Sequence, residues 1–172
     1  MHFLFDWGDT LMANIPGNSG PMCNWPTIQA MPNAKETLYR LSKFAKCHIA
    51  TNAKDSESNQ IWLALARADL ESFITKIFCY KTVGYAKPSP EFFEHISREL
   101  QVNMRDLVMI GDNLEKDVMG AVRCGLQAIW YNPGENIGPS DIVQIKDLIE
   151  LTEITEPCAR KLYPDIQINE DK

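Results

Sequence analysis

Apolar runs of four or five residues alternate with segments of helical periodicity along most of this chain, and that alternation leaves few architectures open. The apolar runs place strands at His2 to Phe5, Cys47 to Ala50, Lys76 to Cys79, Leu107 to Ile110 and Gln127 to Tyr131, with a short edge strand near Ile142 to Gln144. Between them, the spacing predicts helices over Asn33 to Phe44, Glu57 to Ala68, Pro90 to Leu100 and Leu114 to Arg123, with Asn33 and Ser89 as caps and Pro90 in a first helical turn. Strands and helices in this order build βαβ units. The expectation is therefore an α/β, doubly wound, mainly parallel five- or six-stranded Rossmann-like sheet with helices on both faces. Residues 1–156 read as one core domain, and the polar, proline-broken stretch from Pro157 to Lys172 as a loosely held tail.

Composition narrows the function classes. With 172 residues and 45% apolar content, the chain can bury a core without a staple. A net charge of -6, with acids and bases interspersed, offers no basic stripe, so nucleic acid is not an expected partner. The cysteines Cys23, Cys47, Cys79, Cys124 and Cys158 are widely spaced and lack any CxxC pair, which suggests reduced structural thiols rather than a disulfide framework or a zinc site. No apolar run approaches membrane-spanning length and the amino terminus has no signal-peptide pattern, so the expected location is cytoplasmic.

The chemistry is concentrated at strand ends, where open α/β folds build their ligand sites. Asp6 follows the first strand, Thr51 and Asn52 follow the second, Lys87-Pro88 precedes a helix, and Gly111-Asp112 follows the fourth strand. Taken singly, each has a plain structural reading: Asp6 as a turn residue, Thr51 as a turn cap, Lys87 as a solvated loop lysine, Asp112 as a helix cap. Their joint occurrence in this order is what points to phosphoryl transfer. His48, inside a strand, and His95, inside a helix, read as packing or surface residues rather than ligands.

On these residues the sequence resembles the haloacid dehalogenase-like (HAD) hydrolase superfamily, over roughly residues 1 to 150. The segments that carry the resemblance run from Gly84 to Phe93, around Lys87-Pro88, and from Ile110 to Ala121, around Gly111-Asp112 and Asp117. The resemblance implies a Mg²⁺-dependent phosphatase in which Asp6 attacks phosphorus to give an aspartyl-phosphate that water then hydrolyses. It assigns Mg²⁺ to Asp6, Asp112 and the backbone carbonyl of Gly8. Thr51, Asn52 and Lys87 would bind the phosphate, with Thr51 and Lys87 among the catalytic groups, and Asp117 would orient the metal site or Lys87.

Two departures from the family pattern stand out. Family phosphatases place a second Asp two positions after the nucleophile, where this chain has Gly8, and Asp9 occupies the slot usually given to Gly. The missing carboxyl protonates the leaving oxygen, a role worth about a hundredfold to ten-thousandfold in rate. Three accounts are open: Asp9 swings in as the acid/base, the leaving group needs little protonation, or catalysis has been given up and the protein binds a phosphorylated ligand or a protein partner. Weak to moderate phosphatase activity is the favoured outcome.

The second departure is size. Only Leu11 to Pro32 separates the nucleophile loop from the next helix, too little for a full helical cap, so the site should be open. In the superfamily the chain resembles, openness goes with a substrate large enough to cover the site or with a homo-oligomer whose neighbouring subunit supplies the cover. The Ala13 to Met31 segment is read either as a lid or as a surface loop with Trp25 tucked against the core. A dehalogenase, which needs an enclosed apolar pocket and no metal, is disfavoured by the absent cap and by Asp112.

Overall fold

Each of the six apolar runs becomes a strand of one parallel sheet in the computed structural model, which describes residues 1–155. The strands are β1 (His2–Phe5), β2 (Lys46–Thr51), β3 (Ile74–Cys79), β4 (Leu107–Gly111), β5 (Gln127–Tyr131) and β6 (Val143–Ile145), in spatial order β3-β2-β1-β4-β5-β6. From β1 the chain winds outward to β3, returns across the sheet to β4, and winds outward again. β1 and β4 are therefore neighbours, with Phe5 paired to Ile110, and the crevice beyond their carboxyl ends is the topological switch point of the sheet.

Side-chain alternation divides the core into two layers. Phe3, Phe5, Val108 and Ile110 face the layer covered by α1 (Ala34–Leu41) and α2 (Ser58–Arg67), against Leu38, Leu41, Ile61 and Leu65. Leu4, Ala50, Leu107 and Met109 face the other, against Phe92, Phe93 and Ile96 of α4 (Pro90–Leu100) and Ala121 of α5 (Gly120–Arg123). A short helix, α3 (Tyr80–Val83), follows β3 and was not legible from periodicity because it is a single turn. The segment Leu114–Met119, expected as the start of an ordinary helix, is π-wound before it runs into α5, a winding often found at functional sites.

The expected caps are corrected. Asn33 and Ser89 stand at the N-cap positions of α1 and α4, but neither side chain caps its helix. Asn33 holds a left-handed backbone (φ 57) and its amide donates to Asp147 Oδ2 at 2.8 Å, while the Ser89 hydroxyl donates to Glu91 Oε2 at 2.6 Å. In each case the side chain donates to a carboxylate, and its oxygen accepts from no helix amide. Pro90 does open α4 as expected. Cys23, Cys47, Cys79 and Cys124 are free thiols; Cys158 and the predicted tail lie outside the described residues. Among the described residues no helix is long and apolar enough to cross a membrane.

His48 is fully buried in β2, its ring stacked on His2 with Nε2 3.0 Å from His2 Nδ1, and its own Nδ1 has no partner among the described residues. Burial, then the neighbouring His2, Lys46 and Lys76, push its pKa down to about 3. The imidazole is neutral in the fold and titrates near 6.5 when unfolded, so nothing is lost above that pH. As pH falls from 6.5 towards 3 the unfolded chain takes up a proton that the fold refuses, and stability drops by about 1.4 kcal/mol per unit, about 2 kcal/mol by pH 5. Urea unfolding at pH 7.5 and pH 5 should show a smaller pH-dependent loss in His48→Leu than in the parent. Equal losses in both proteins would rule out the buried imidazole as their source.

Candidate active site

Asp6 leaves the end of β1, its backbone N–H still bonded to the Ile110 carbonyl of β4 at 2.8 Å, and its side chain enters the crevice at the switch point. Lys87 arrives from the loop before α4 and places Nζ 2.7 Å from Asp6 Oδ1 and 2.8 Å from Asp117 Oδ1. The Lys87 and Asp117 side chains are 1% and 3% exposed, so this is a buried charge cluster at the floor of a cleft of about 340 Å³. The solvated-lysine reading of Lys87 is thereby excluded.

Two glycines make the cluster sterically possible. A Cβ on Gly111 would lie 2.2 Å from Asp117 Oδ2, and one on Gly120 would lie 2.5 Å from Pro88 Cβ. The first glycine lets the Asp117 carboxylate sit against the end of β4, and the second lets the Lys87-Pro88 loop pack on the start of α5. Asp117 is further fixed by the Asn113 N–H, which donates to Oδ2 at 3.1 Å.

Asp112 is held by a residue a hundred positions away. Thr10 Oγ1 accepts from the Asp112 N–H at 3.1 Å and donates to Asp112 Oδ1 at 3.3 Å, while Trp130 Nε1 donates to the Asp112 carbonyl at 2.9 Å. Both side chains were missed as site residues. Thr10 could have been found, since it follows the acidic nucleophile loop and carries a hydroxyl into an otherwise apolar stretch. Trp130 gives no signal beyond a strand aromatic.

One oxygen from each of Asp6, Asp112 and Asp117 lies within 4.8 Å of the others. Burial pushes the pKa of Asp6 up to about 6; Lys87 opposes the rise, and Asp117 and Asp112 add to it. Asp112 is also raised, by burial and then by Asp117. Burial alone would lower Lys87, but Asp6 and Asp117 outweigh it and hold the ammonium above its usual value. Among the described residues Lys87 is the cation ion-paired within this cluster of three carboxylates, to Asp6 and Asp117, and the hard oxygen donors beside it suit Mg²⁺. Asp117 has both oxygens engaged by Lys87 and Asn113, whereas among the described residues Oδ2 of Asp6 has no protein donor and Oδ2 of Asp112 no side-chain donor.

Thr51, at the end of β2, is 3% exposed and lines the cleft. Its hydroxyl accepts from the Ala53 N–H at 3.2 Å, so its own proton remains available to a phosphate oxygen. Asn52 also lines the cleft, but its side-chain amide is turned to the lysine loop: Oδ1 accepts from Lys87 N and Nδ2 donates to Lys87 O, both at 2.8 Å. That pair of bonds positions Lys87. Gly8 and Asp9 border the same cleft, and both Asp9 oxygens accept from Asn14, Oδ1 from the backbone N–H at 2.9 Å and Oδ2 from Nδ2 at 2.8 Å. His95 stays away from the site, edge-on to Phe78.

The Ala13 to Met31 segment is tied down around Met22 to Pro26. Met12 bridges Ala30, Met22 is buried within the turn Met22–Asn24, and the Trp25 indole donates to the Ser19 and Gly20 carbonyls at 3.2 and 3.1 Å. The Arg67 guanidinium of α2 gathers the carbonyls of Cys23 and Trp25, both at 2.8 Å, and of Pro26 at 3.3 Å. Met22 and half-buried Trp25 then give the otherwise polar cleft one apolar side.

Comparison with known proteins gives the family and the fold. A family model described as haloacid dehalogenase-like hydrolase matches residues 23–125, more than half of the chain. The glyceraldehyde 3-phosphate phosphatase of Pyrococcus furiosus is 26% identical over 108 residues, 63% of this chain and 44% of that protein. The chain spans about half the length of the curated relatives it matches. Among solved structures, an uncharacterized protein from Listeria monocytogenes serotype 4b superposes with a TM-score of 0.80 at 24% identity, covering 93% of this chain and 98% of that one. The HAD-hydrolase YfnB of Bacillus subtilis, solved bound to magnesium, gives 0.66 at 28% identity, covering 74% of this chain and 56% of that one.

Proposed function

Since this chain belongs to the haloacid dehalogenase-like hydrolases, we propose that it is a Mg²⁺-dependent phosphomonoesterase working through an aspartyl-phosphate at Asp6. The observation that carries the reading is the Asp6–Lys87–Asp117 cluster beside Asp112, because a carboxylate so placed can act as nucleophile only if a dication and an ammonium offset the charge of an incoming phosphate.

In this reading Asp6, Asp112 and the Gly8 carbonyl hold Mg²⁺, which when bound supplies Lewis-acid polarisation of the phosphoryl group. The Thr51 hydroxyl binds a phosphate oxygen, and Lys87 offsets charge on Asp6 and on the group being transferred. Asn52 and Asp117 act on Lys87, the first through its backbone and the second through its ammonium. Asp9, engaged by Asn14, stands as a weaker candidate for the acid/base than its place in the sequence suggests.

Release of inorganic phosphate from 4-nitrophenyl phosphate, with Mg²⁺ and then with excess chelator, tests the reading. Turnover that falls by at least about a hundredfold on chelation is the expected result. No turnover under either condition would favour the alternative of a silent relative that binds a phosphorylated ligand or a protein partner. Phosphorylated sugars, nucleotides and phosphopeptides screened at fixed Mg²⁺ then place the substrate.

A further inference from the structure

The floor and the mouth of the cleft are built from different kinds of side chain, and the mouth carries a residue that the phosphatase reading does not use. Asp6 lies at the floor with Lys87 and Asp117 buried behind it, whereas Asn14 is exposed at the rim. In-line displacement puts the attacking and leaving oxygens on opposite sides of phosphorus. A phosphoryl group that meets the Asp6 carboxylate therefore directs its remaining substituent outward, past Gly8 and Asn14.

The space beside Gly8 is already filled. A Cβ built on Gly8 would lie 2.6 Å from Asn14 Nδ2 and 3.1 Å from Asn14 Oδ1. The same amide nitrogen donates to Asp9 Oδ2 at 2.8 Å, and the Asn14 backbone N–H donates to Asp9 Oδ1 at 2.9 Å. Asp9 reaches this arrangement through a left-handed backbone, φ 56, a conformation that Asp tolerates better than most residues. One hydrogen of Asn14 Nδ2 is used on Asp9 and the second is left for a ligand.

The geometry points to Asn14 as the residue that sets leaving-group preference. This deepens the phosphatase reading and rests on it. Asn14 engages both oxygens of Asp9 and occupies the place beside Gly8, so the leaving oxygen meets an amide, which donates a hydrogen bond but cannot give up a proton. Such a site takes phosphates whose leaving groups depart as stable anions: aryl phosphates, acyl phosphates and phosphoanhydrides. In the first step an Asp6 oxygen forms a bond to phosphorus, and the bond from phosphorus to the leaving oxygen breaks with its electron pair going to that oxygen. In the second, water adds to phosphorus, the bond from phosphorus to the Asp6 oxygen breaks, and both water protons leave on dihydrogen phosphate.

The test compares kcat/KM for 4-nitrophenyl phosphate, acetyl phosphate and ethyl phosphate, by phosphate release at fixed Mg²⁺. The two activated substrates should exceed ethyl phosphate by more than about a hundredfold, the lower bound of what a general acid contributes. Asn14→Ala keeps the backbone bond to Asp9 Oδ1 but frees Asp9 Oδ2 and opens the place beside Gly8, and should narrow that ratio at least about tenfold; Asn14→Ala with Asp9→Asn should restore it. A scaffold role would lower all three substrates together and leave the ratio unchanged, which overturns the assignment, as does a parent ratio below about a hundredfold. If the parent releases no phosphate from 4-nitrophenyl phosphate, the phosphatase reading itself falls; turnover with a flat series sinks only the role of Asn14.

Discussion

Asp6→Asn should abolish phosphate release, by at least about ten-thousandfold, while leaving the fold as stable as the parent's or more so. The loss follows from chemistry: an amide oxygen is a poor nucleophile and cannot leave again as a carboxylate when water attacks the intermediate. The retained stability follows from the electrostatics. Asp6 is ionised at a cost, since burial, Asp117 and Asp112 hold its pKa near 6 against the pull of Lys87. A neutral side chain of the same shape removes that cost and still leaves Lys87 paired with Asp117 at 2.8 Å.

The combination is diagnostic. Thermal unfolding without Mg²⁺ should give a Tm at or above the parent value, and added Mg²⁺ should raise the parent's Tm but not the variant's, because binding to the native state alone stabilises by mass action. A Mg²⁺-dependent rise of equal size in both proteins would place the ion away from Asp6. A Tm well below the parent's would mean that Asp6 stabilises the fold, contrary to its raised pKa.

The fold was legible because its signals are local. All six strands fall where short apolar runs stand, β1 and β5 to the residue, and β6 one position later than expected. Period-two alternation even separates the two core layers, with Phe3 and Phe5 on one side and Leu4 on the other. What failed was the chemistry of caps, since the partners that draw off Asn33 and Ser89 depend on the tertiary position of Asp147 and on a rotamer of Glu91. The π-wound turn was likewise invisible, and the contacts that Asp117 makes from it, beside Gly111 and with Lys87, are tertiary.

The site divides in the same way. Asp6, Thr51, Lys87 and Asp112 could be named because each sits at a strand end or loop with a recognisable neighbour, and the fold brings all four to one cleft. Thr10, Trp130 and Asn14 act through contacts between segments five to a hundred residues apart, and of the three only Thr10, just after the nucleophile loop, carries a signal in the sequence. Asn52 was expected to face the substrate and instead spends its amide on the Lys87 backbone, a distinction that only coordinates can make.

Lys87→Met should produce the largest loss of stability of any single change at the site, about 3 to 5 kcal/mol at neutral pH, together with at least a thousandfold loss of turnover. Methionine matches the stem of lysine in volume, so the effect isolates the ammonium. Without it, Asp117, only 3% exposed, and Asp6 face each other with no cation between them. The pH dependence carries the sign of the argument. Asp6, at about 6 with the ammonium present, climbs further without it, so over the range between 3.8 and that higher value the folded state binds more protons than the unfolded state. Stability then falls as pH rises, and the deficit of the variant should shrink as pH is lowered from 7.5 towards 5. Pairing Lys87→Met with Asp117→Asn removes one of the two uncompensated charges and its repulsion of Asp6, and should recover more than half of the loss, a strong departure from additivity. Urea unfolding of the four proteins at both pH values reads the cycle. Strictly additive losses that do not change with pH would mean that Lys87 matters for packing alone, and that the charge cluster on which the catalytic reading depends is not coupled.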